Sequence, residues 1–89
     1  ELKIQNIVAS ASLGGMIDLE KSAYTLGRTM YEPEQFPGLI YRMDEPKVVI
    51  LLFASGKLVC TGAKKEQDVY DAVHKLHKIL EEQELIFYE

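Results

Sequence analysis

The sequence predicts an α+β domain in which two helices cover one face of a five-stranded antiparallel sheet. Two observations lead to this prediction. Three apolar segments between residues 39 and 61 are separated by connections of only a few residues, which is typical of hairpins. A helical pattern then runs from about Lys65 to Gln83 and completes the order β-α-β-β-β-β-α. With 89 residues the chain forms one domain with a thin core.

The first third of the chain predicts a strand, a short helix and a second, shorter strand. Leu2 to Ala11 carries β-branched residues with small polar ones between them, and Gly14-Gly15 is a turn signal. Asp18 is a suitable N-cap for a helix that Gly27 ends. One stripe of this helix is apolar: Leu19, Ala23 and Leu26. Met30 to Glu32 is predicted as a short strand.

The remaining elements follow a loop, Glu32 to Gly38, that holds two prolines and a glycine. Three strands are predicted after it: Leu39 to Met43, Lys47 to Ser55 and Lys57 to Thr61. Asp44-Glu45-Pro46, Gly56 and Gly62 are predicted to end them in turn. In the last helix one face is apolar and the other charged, with Val69, Ala72, Val73, Leu76 and Leu80 on the apolar face.

The strands are apolar on both faces, although two helices can cover only one. Such a sheet normally alternates apolar and polar residues. In the strand from Lys47 to Ser55, one face carries Val48, Ile50, Leu52 and Ala54, and the other carries Val49, Leu51 and Phe53. A contiguous exposed apolar surface marks an interaction site. The pattern alone leaves open whether this surface binds a ligand or packs against a second domain or a dimer partner.

The net charge of the chain argues against a nucleic-acid-binding protein. Ten basic and fourteen acidic residues give a formal charge of −4, whereas phosphate contacts favour a basic protein. Between Phe36 and Lys64, however, there are four basic residues and only two acidic ones, a local charge of +2. One cysteine, Cys60, excludes an internal disulfide. The longest apolar run, Val48 to Ala54, is too short to cross a membrane, so no membrane partner is expected.

Four segments of the chain together strongly resemble one repeat of the TATA-binding protein family. They read IQNIV (4–8), YEPEQFPGLIYR (31–42), EPK (45–47) and FASGKLVCTGAK (53–64). The resemblance implies half of a saddle, in which a curved five-stranded sheet carries both helices on its convex face. The acidic loop and acidic C-terminal segment look like the C-terminal repeat, and the overall negative charge looks archaeal. A location in the archaeal cytoplasm, on the nucleoid, is implied, or in the nucleus of a eukaryote. Because Glu1 stands where an initiator Met would, we expect a longer gene product.

The resemblance implies that Phe36 and Phe53 wedge between base pairs of TATA-box DNA. An apolar ring unstacks a base step and kinks the duplex, a mode of binding of which this family is the standard example. The alternative for Phe53 is core packing, although no helix is expected over its face. Phe36 lies between Gln35 and Pro37 in a loop, where exposure is expected.

The resemblance also assigns groove and backbone contacts. Minor-groove contacts are Asn6, Val8, Val59 and Thr61, and backbone contacts are Arg42, Ser55 and Lys57. An amide and a hydroxyl suit the acceptors of A·T pairs, and valines would exclude the guanine amino group. The basic and hydroxyl groups would hold phosphates without reading sequence. The alternatives are solvated polar residues and, for the valines, core packing.

The implied protein partner is the B-type transcription initiation factor, which would contact Glu32, Glu34 and Gln35 and through which RNA polymerase would be reached indirectly. The alternative is an ordinary acidic loop. The implied function is that of a general transcription initiation factor that binds and bends DNA. The competing hypothesis is a non-catalytic interaction module of the same fold, packed on a partner domain.

Other chemical signals in the sequence are weak. His74 and His77 share a helix face, but nothing completes a metal site. Ser55-Gly56-Lys57 is similar to part of a P-loop, but Leu58 stands where Ser or Thr is needed. Cys60 is expected on the helix side as a core residue. We therefore expect no enzymatic activity, no metal and no cofactor.

Half a saddle leaves its sheet bare and an edge strand unpaired, which favours association. We expect the isolated chain to form a symmetric homodimer that mimics the two-repeat saddle, or else to aggregate. We also expect it to bind DNA weakly.

Overall fold

A five-stranded antiparallel sheet forms the centre of the structure, a computed structural model that describes residues 7–88. Its strands are β1 (Ile7–Ser12), β3 (Thr29–Tyr31), β4 (Leu39–Met43), β5 (Val48–Leu52) and β6 (Lys57–Ala63). They lie side by side in the order β1–β6–β5–β4–β3, and every neighbouring pair is antiparallel. The helices are α1 (Leu19–Leu26) and α2 (Glu66–Glu82). The predicted class, a five-stranded antiparallel sheet with two helices, is confirmed.

A second, two-stranded sheet was not predicted. It pairs β2 (Met16–Ile17) with β7 (Ile86–Phe87) and is called the ribbon below. Strands of two residues are too short to show a sequence period, which explains why the pattern missed them.

The predicted first strand is confirmed in its described part, where β1 extends to Ser12. Residues 2–6 of that prediction lie outside the described part of the chain.

The predicted boundaries of β5 and β6 were partly wrong. β5 ends at Leu52 because the next residue begins the turn: the Phe53 amide donates to the Lys57 carbonyl, and the Gly56 amide donates to the Phe53 carbonyl, both at 2.9 Å. β6 continues through Gly62 to Ala63. Gly62 does not end the strand because it forms a bulge: its φ is +84°, and the register slips between the pairs Ala9–Cys60 and Ile7–Ala63.

Both predicted helices are confirmed, and the ends of α1 follow the expected chemistry. Asp18 caps α1, since its Oδ1 accepts from the Lys21 amide at 3.0 Å. Gly27 follows α1 with a φ of +63°, a left-handed conformation that glycine adopts without strain. The apolar face of α2 buries Ala72, Leu76 and Leu80.

The core lies between the helices and one face of the sheet. The sheet contributes Leu39, Met43, Val48, Ile50, Leu52, Leu58 and Cys60, all buried in one cluster with the apolar faces of both helices. The alternate residues of the same strands are half-buried or exposed. The sheet therefore has one packed face and one uncovered face, as its sequence predicts.

Candidate nucleic-acid interface

The uncovered face of the sheet is a continuous apolar surface. Strand register aligns one row of side chains across all five strands: Ser10, Val59, Leu51, Ile40 and Met30. A second row holds Thr61, Val49 and Arg42. Val8 and Met30, on the two edge strands, are 62% and 52% exposed. A surface that is mainly apolar, with a few polar groups, is suited to binding a partner through complementary shape and apolar contact.

The two phenylalanines meet at one end of this face, at the start of the β5–β6 turn. The ring centroids of Phe36 and Phe53 are 5.7 Å apart and the rings are inclined at 65°, an edge-to-face pair. Both side chains are half-buried. Gly38 lies against the pair, since a Cβ on it would be 2.9 Å from Phe36 Cε2 and 2.9 Å from Phe53 Cε1. The sequence motif around Phe36 thus includes a glycine that the ring packing requires.

The predicted groove contacts lie near the centre and the β1 edge of the face. Thr61 Oγ1 donates to the Val49 carbonyl at 3.3 Å, so this hydroxyl must give up a long internal bond before it can donate to DNA. Val59 stands between Ser10 and Leu51, and Val8 lies on β1 where β6 bulges. The fourth predicted contact, Asn6, lies outside residues 7–88, and its position is therefore not described.

The predicted backbone contacts fall at two ends of the sheet. Ser55 and Lys57 are exposed in and after the β5–β6 turn, and Ser55 Oγ accepts from the Lys57 amide at 3.4 Å. Arg42 is exposed at the opposite end, paired with Val49. A cation at each end suits a ligand that runs along the length of β5.

The acidic loop lies beside the phenylalanine pair. Glu32, Glu34 and Gln35 are all exposed. The Glu32 carbonyl accepts from the amides of both Gln35 and Phe36 at 2.9 Å, which folds the loop into a tight turn. The loop therefore presents its carboxylates on the same turn that holds one ring of the aromatic pair.

An ion pair that the sequence did not suggest lies near Arg42. Arg28 forms a salt bridge with Asp44, and that hydrogen bond and charge raise the pKa of the Arg28 guanidinium above its ordinary value. Both side chains are well exposed, so the pair adds little stability. The sequence could not predict this ion pair, because Arg28 and Asp44 are far apart in the chain and only the fold brings them together.

The cysteine and the two histidines, which were considered as a nucleophile and as metal ligands, show no such site in the described residues. Cys60 is buried, and burial together with the charge of Asp68 raises the pKa of its thiol. His77 Nε2 lies 2.5 Å from the Tyr88 hydroxyl, and His74 is exposed. Across residues 7–88 there is no cluster of three or more His, Cys, Asp or Glu able to hold a metal. Within the same range, no helix is long and apolar enough to cross a membrane.

Comparisons with known proteins match most of the chain to one family. The family model described as "Transcription factor TFIID (or TATA-binding protein, TBP)" matches residues 1–83. The TATA-box-binding protein of Pyrodictium occultum is 62% identical over 80 residues, 90% of this chain and 40% of that protein. The Aeropyrum pernix protein of the same name is 62% identical over 86 residues, 97% of this chain and 42% of its own length.

A solved structure shows the same fold. The structure titled "Methanococcus jannaschii TBP" has a TM-score of 0.86 and 52% sequence identity, and the match covers 92% of this chain and 48% of that one. The chain thus spans less than half the length of the relatives that it matches.

Proposed function

The chain belongs to the TATA-binding protein family, and from this and its uncovered sheet we propose that it is half of a saddle that binds and bends TATA-box DNA through the minor groove. The observation that carries the proposal is the apolar face with an aromatic pair at its end. Exposing such an apolar face to water is unfavourable, and a bent minor groove offers it an extended surface to contact. On this proposal the protein acts as a general transcription initiation factor on the archaeal nucleoid.

Bending is assigned to Phe36 and Phe53. Their edge-to-face contact and their support by Gly38 hold the rings at the margin of the face. A preorganised apolar wedge lowers the cost of unstacking a base step, and the bend lets more of the sheet contact the DNA.

Preference for A·T pairs is assigned to the centre of the face. The minor groove of A·T pairs offers acceptors and lacks the guanine amino group. Val8 and Val59 leave that amino group without a partner, while Asn6 and Thr61 supply donors. Arg42, Ser55 and Lys57 would hold phosphates and fix the register.

Recruitment of the B-type initiation factor is assigned to Glu32, Glu34 and Gln35. The loop is acidic and exposed, which suits a basic protein surface and repels the DNA backbone. RNA polymerase would be reached indirectly, through that factor.

The second half of the saddle is proposed to join at β1. This edge strand, IVASAS, carries no charge and no proline, the usual protections of an edge. In the longer relatives a further half-length segment is available, and in the isolated chain a second copy would take its place.

The test is Phe53→Ala in the native protein. We expect weaker binding to a TATA-box duplex by roughly 10- to 100-fold and a smaller bend, because wedge and area are both lost. Fluorescence anisotropy gives the affinity, and energy transfer between dyes at the duplex ends gives the bend. Tyr70→Ala, which removes an exposed aromatic from α2, is the matched control. An unchanged affinity and bend in the Phe53 variant would contradict the proposal.

The alternative of a non-catalytic module packed on a partner domain uses the same uncovered face. A salt titration separates the two, because DNA binding weakens as salt rises, in proportion to the phosphates neutralised. If no binding to an A·T-rich duplex is measurable at low salt, the alternative is favoured.

A further inference from the structure

Three side chains that no proposed contact uses form a hydrogen-bonded cluster between the end of the ribbon and α2. The Tyr88 hydroxyl donates to Glu81 Oε2 at 2.8 Å and lies 2.5 Å from His77 Nε2. Because its only proton goes to Glu81, its oxygen must accept from an Nε2–H group of His77. Partial desolvation and the Glu81 carboxylate raise the pKa of the Tyr88 phenol, so the hydroxyl stays a donor at neutral pH. The cluster therefore ties Tyr88 to the last two turns of α2.

The Tyr88 ring packs against Gly15, the residue that precedes β2. A Cβ on Gly15 would lie 3.0 Å from Tyr88 Cδ1 and 2.9 Å from Ile86 Cγ1. The carbonyl of the same glycine lies against Gly56, where an added Cβ would collide with it. Gly15 therefore contacts both the tyrosine ring and the β5–β6 turn.

The segment from residue 13 to residue 17 also holds the β5–β6 turn by hydrogen bonds. The Leu13 amide donates to the Gly56 carbonyl at 2.9 Å, and the Ile17 amide donates to the Ala54 carbonyl at 2.8 Å. These two carbonyls belong to the two sides of the turn. The turn therefore cannot shift without breaking these bonds or moving the segment with it.

Phe53 stands at the start of that turn, and its carbonyl accepts from the Gly56 amide at 2.9 Å. A continuous series of contacts thus runs from α2 through Tyr88 and Gly15 to the backbone of Phe53. A binding group that is already in place needs less ordering when its ligand arrives, and this raises affinity.

We propose that Tyr88 is a positioning residue for Phe53 in DNA binding. Its ring, held from α2, keeps the segment from residue 13 to residue 17 against the β5–β6 turn and so places Phe53 before DNA arrives. Tyr88 itself touches no DNA, and the inference rests on the proposed function. Release of the ring should weaken DNA binding while leaving the shape of the bound duplex unchanged.

The test is Tyr88→Phe in the native protein, which keeps the ring and removes its hydroxyl. We expect affinity for a TATA-box duplex to fall by about 2- to 10-fold, because the hydrogen bonds that hold the ring are lost. The bend of the saturated complex should stay that of the unaltered protein, whereas Phe53→Ala should reduce it. Native-state hydrogen exchange should become about 2- to 10-fold faster at the amides of Leu13, Ile17 and Gly56.

Two variants of Glu81 test whether the hydroxyl acts through that carboxylate. Glu81→Gln keeps an oxygen that can accept from Tyr88, so its DNA affinity should stay within about twofold of the unaltered protein. Glu81→Ala should lose about as much affinity as Tyr88→Phe. The double variant of Glu81→Ala with Tyr88→Phe should lose little more than either single variant, as a double-mutant cycle requires of two interacting groups.

The matched control is Thr29→Val, which removes a side-chain hydrogen bond to the Ala23 carbonyl at the other edge of the sheet. DNA affinity should be nearly unchanged in this variant. The amide of Arg42, which donates to the Arg28 carbonyl at 3.2 Å, serves as the exchange reference distant from the ribbon. Its exchange rate should not change in Tyr88→Phe.

The outcomes separate the inference from the function on which it rests. If Phe53→Ala weakens binding and Tyr88→Phe does not, the inference is wrong and the proposed function stands. If Phe53→Ala changes neither affinity nor bend, the proposed function itself is wrong. The inference is also overturned if Tyr88→Phe speeds exchange equally at Arg42, since the effect would then be general destabilisation, or if it speeds exchange at none of the three amides.

Discussion

At the residue scale, the backbone decides what each candidate side chain can do. The Thr61 hydroxyl donates to the Val49 carbonyl, so the proposed contact with DNA would exchange one hydrogen bond for another. The aromatic pair is set by Gly38, which has no side chain where both rings need space. The roles of such residues depend on neighbours that carry no functional group of their own.

Gly38→Ala is expected to displace the rings while leaving the fold intact. The added Cβ meets ring edges that can shift, although the Leu52 carbonyl at 3.1 Å limits the room. We expect DNA affinity to fall by roughly 3- to 30-fold, with a loss in unfolding free energy of about 1–2 kcal/mol. Affinity for a TATA-box duplex and chemical denaturation measure the two effects.

The control for that variant is Gly14→Ala. Gly14 has a φ of +79° and open space around it, so alanine strains the backbone without touching the rings. Its stability should fall by about 1 kcal/mol with DNA affinity nearly unchanged. Equal losses of affinity in the two variants would show that ring placement is not the cause.

At the element scale, elements with a full sequence period were predicted well and irregular ones were not. β4 spans the predicted residues, and α1 begins after the predicted cap, because apolar spacing and capping chemistry act locally. β5 stops early at a turn, and β6 passes through a glycine bulge, because hydrogen bonds between strands decide those ends. The ribbon depends on contacts between residues about 70 apart in the chain, which no local pattern reports.

The candidate site likewise has a part that the sequence pattern predicted and a part that only the structure reveals. The apolar face followed from strand alternation, since both sets of alternate residues are apolar. The roles of single residues on it came from the family resemblance and stay predictions. The Phe36–Phe53 geometry and the separation of Arg42 from Lys57 required the fold, because each depends on which strand ends lie side by side.

The β5–β6 turn is expected to be sensitive to substitution at Gly56. Its φ is +91°, and a Cβ there would collide with the Gly15 backbone carbonyl, which cannot move without the ribbon. We expect Gly56→Ala to lower the unfolding free energy by about 3 kcal/mol or more, against about 1 kcal/mol for Gly14→Ala. Chemical denaturation of both variants measures these unfolding free energies. Similar losses in the two variants would show that the β5–β6 turn can rearrange to accommodate the added Cβ.

At the scale of the whole molecule, the two edges of the sheet differ. The β3 edge is short and adjoins α1, where Thr29 Oγ1 donates to the Ala23 carbonyl at 3.1 Å. The β1 edge is longer and uncharged, and its outer residues Val8, Ser10 and Ser12 are exposed. All residues that contribute to the net charge of −4 lie outside β1, so charge repulsion within this strand does not oppose pairing at its edge.

The isolated 89-residue chain is accordingly expected to associate. Pairing of two β1 strands about a twofold axis would extend the sheet to ten strands and remove the unprotected edge. Sedimentation equilibrium over a wide range of protein concentration should give a mass that rises towards that of a dimer. A monomeric mass throughout that range would contradict the expectation.

The turn from Glu32 to Phe36 joins the two proposed binding events mechanically. The Glu32 carbonyl accepts from the Gln35 amide, next to the exposed carboxylates, and from the amide of Phe36, whose ring is proposed to enter DNA. If both proposed contacts form, a shift of Phe36 on DNA would be transmitted to the loop, and a partner bound to the loop would restrain the ring. By thermodynamic linkage, any factor by which the partner tightens DNA binding must equal the factor by which DNA tightens partner binding. One backbone oxygen would then make the assembly of a promoter complex cooperative.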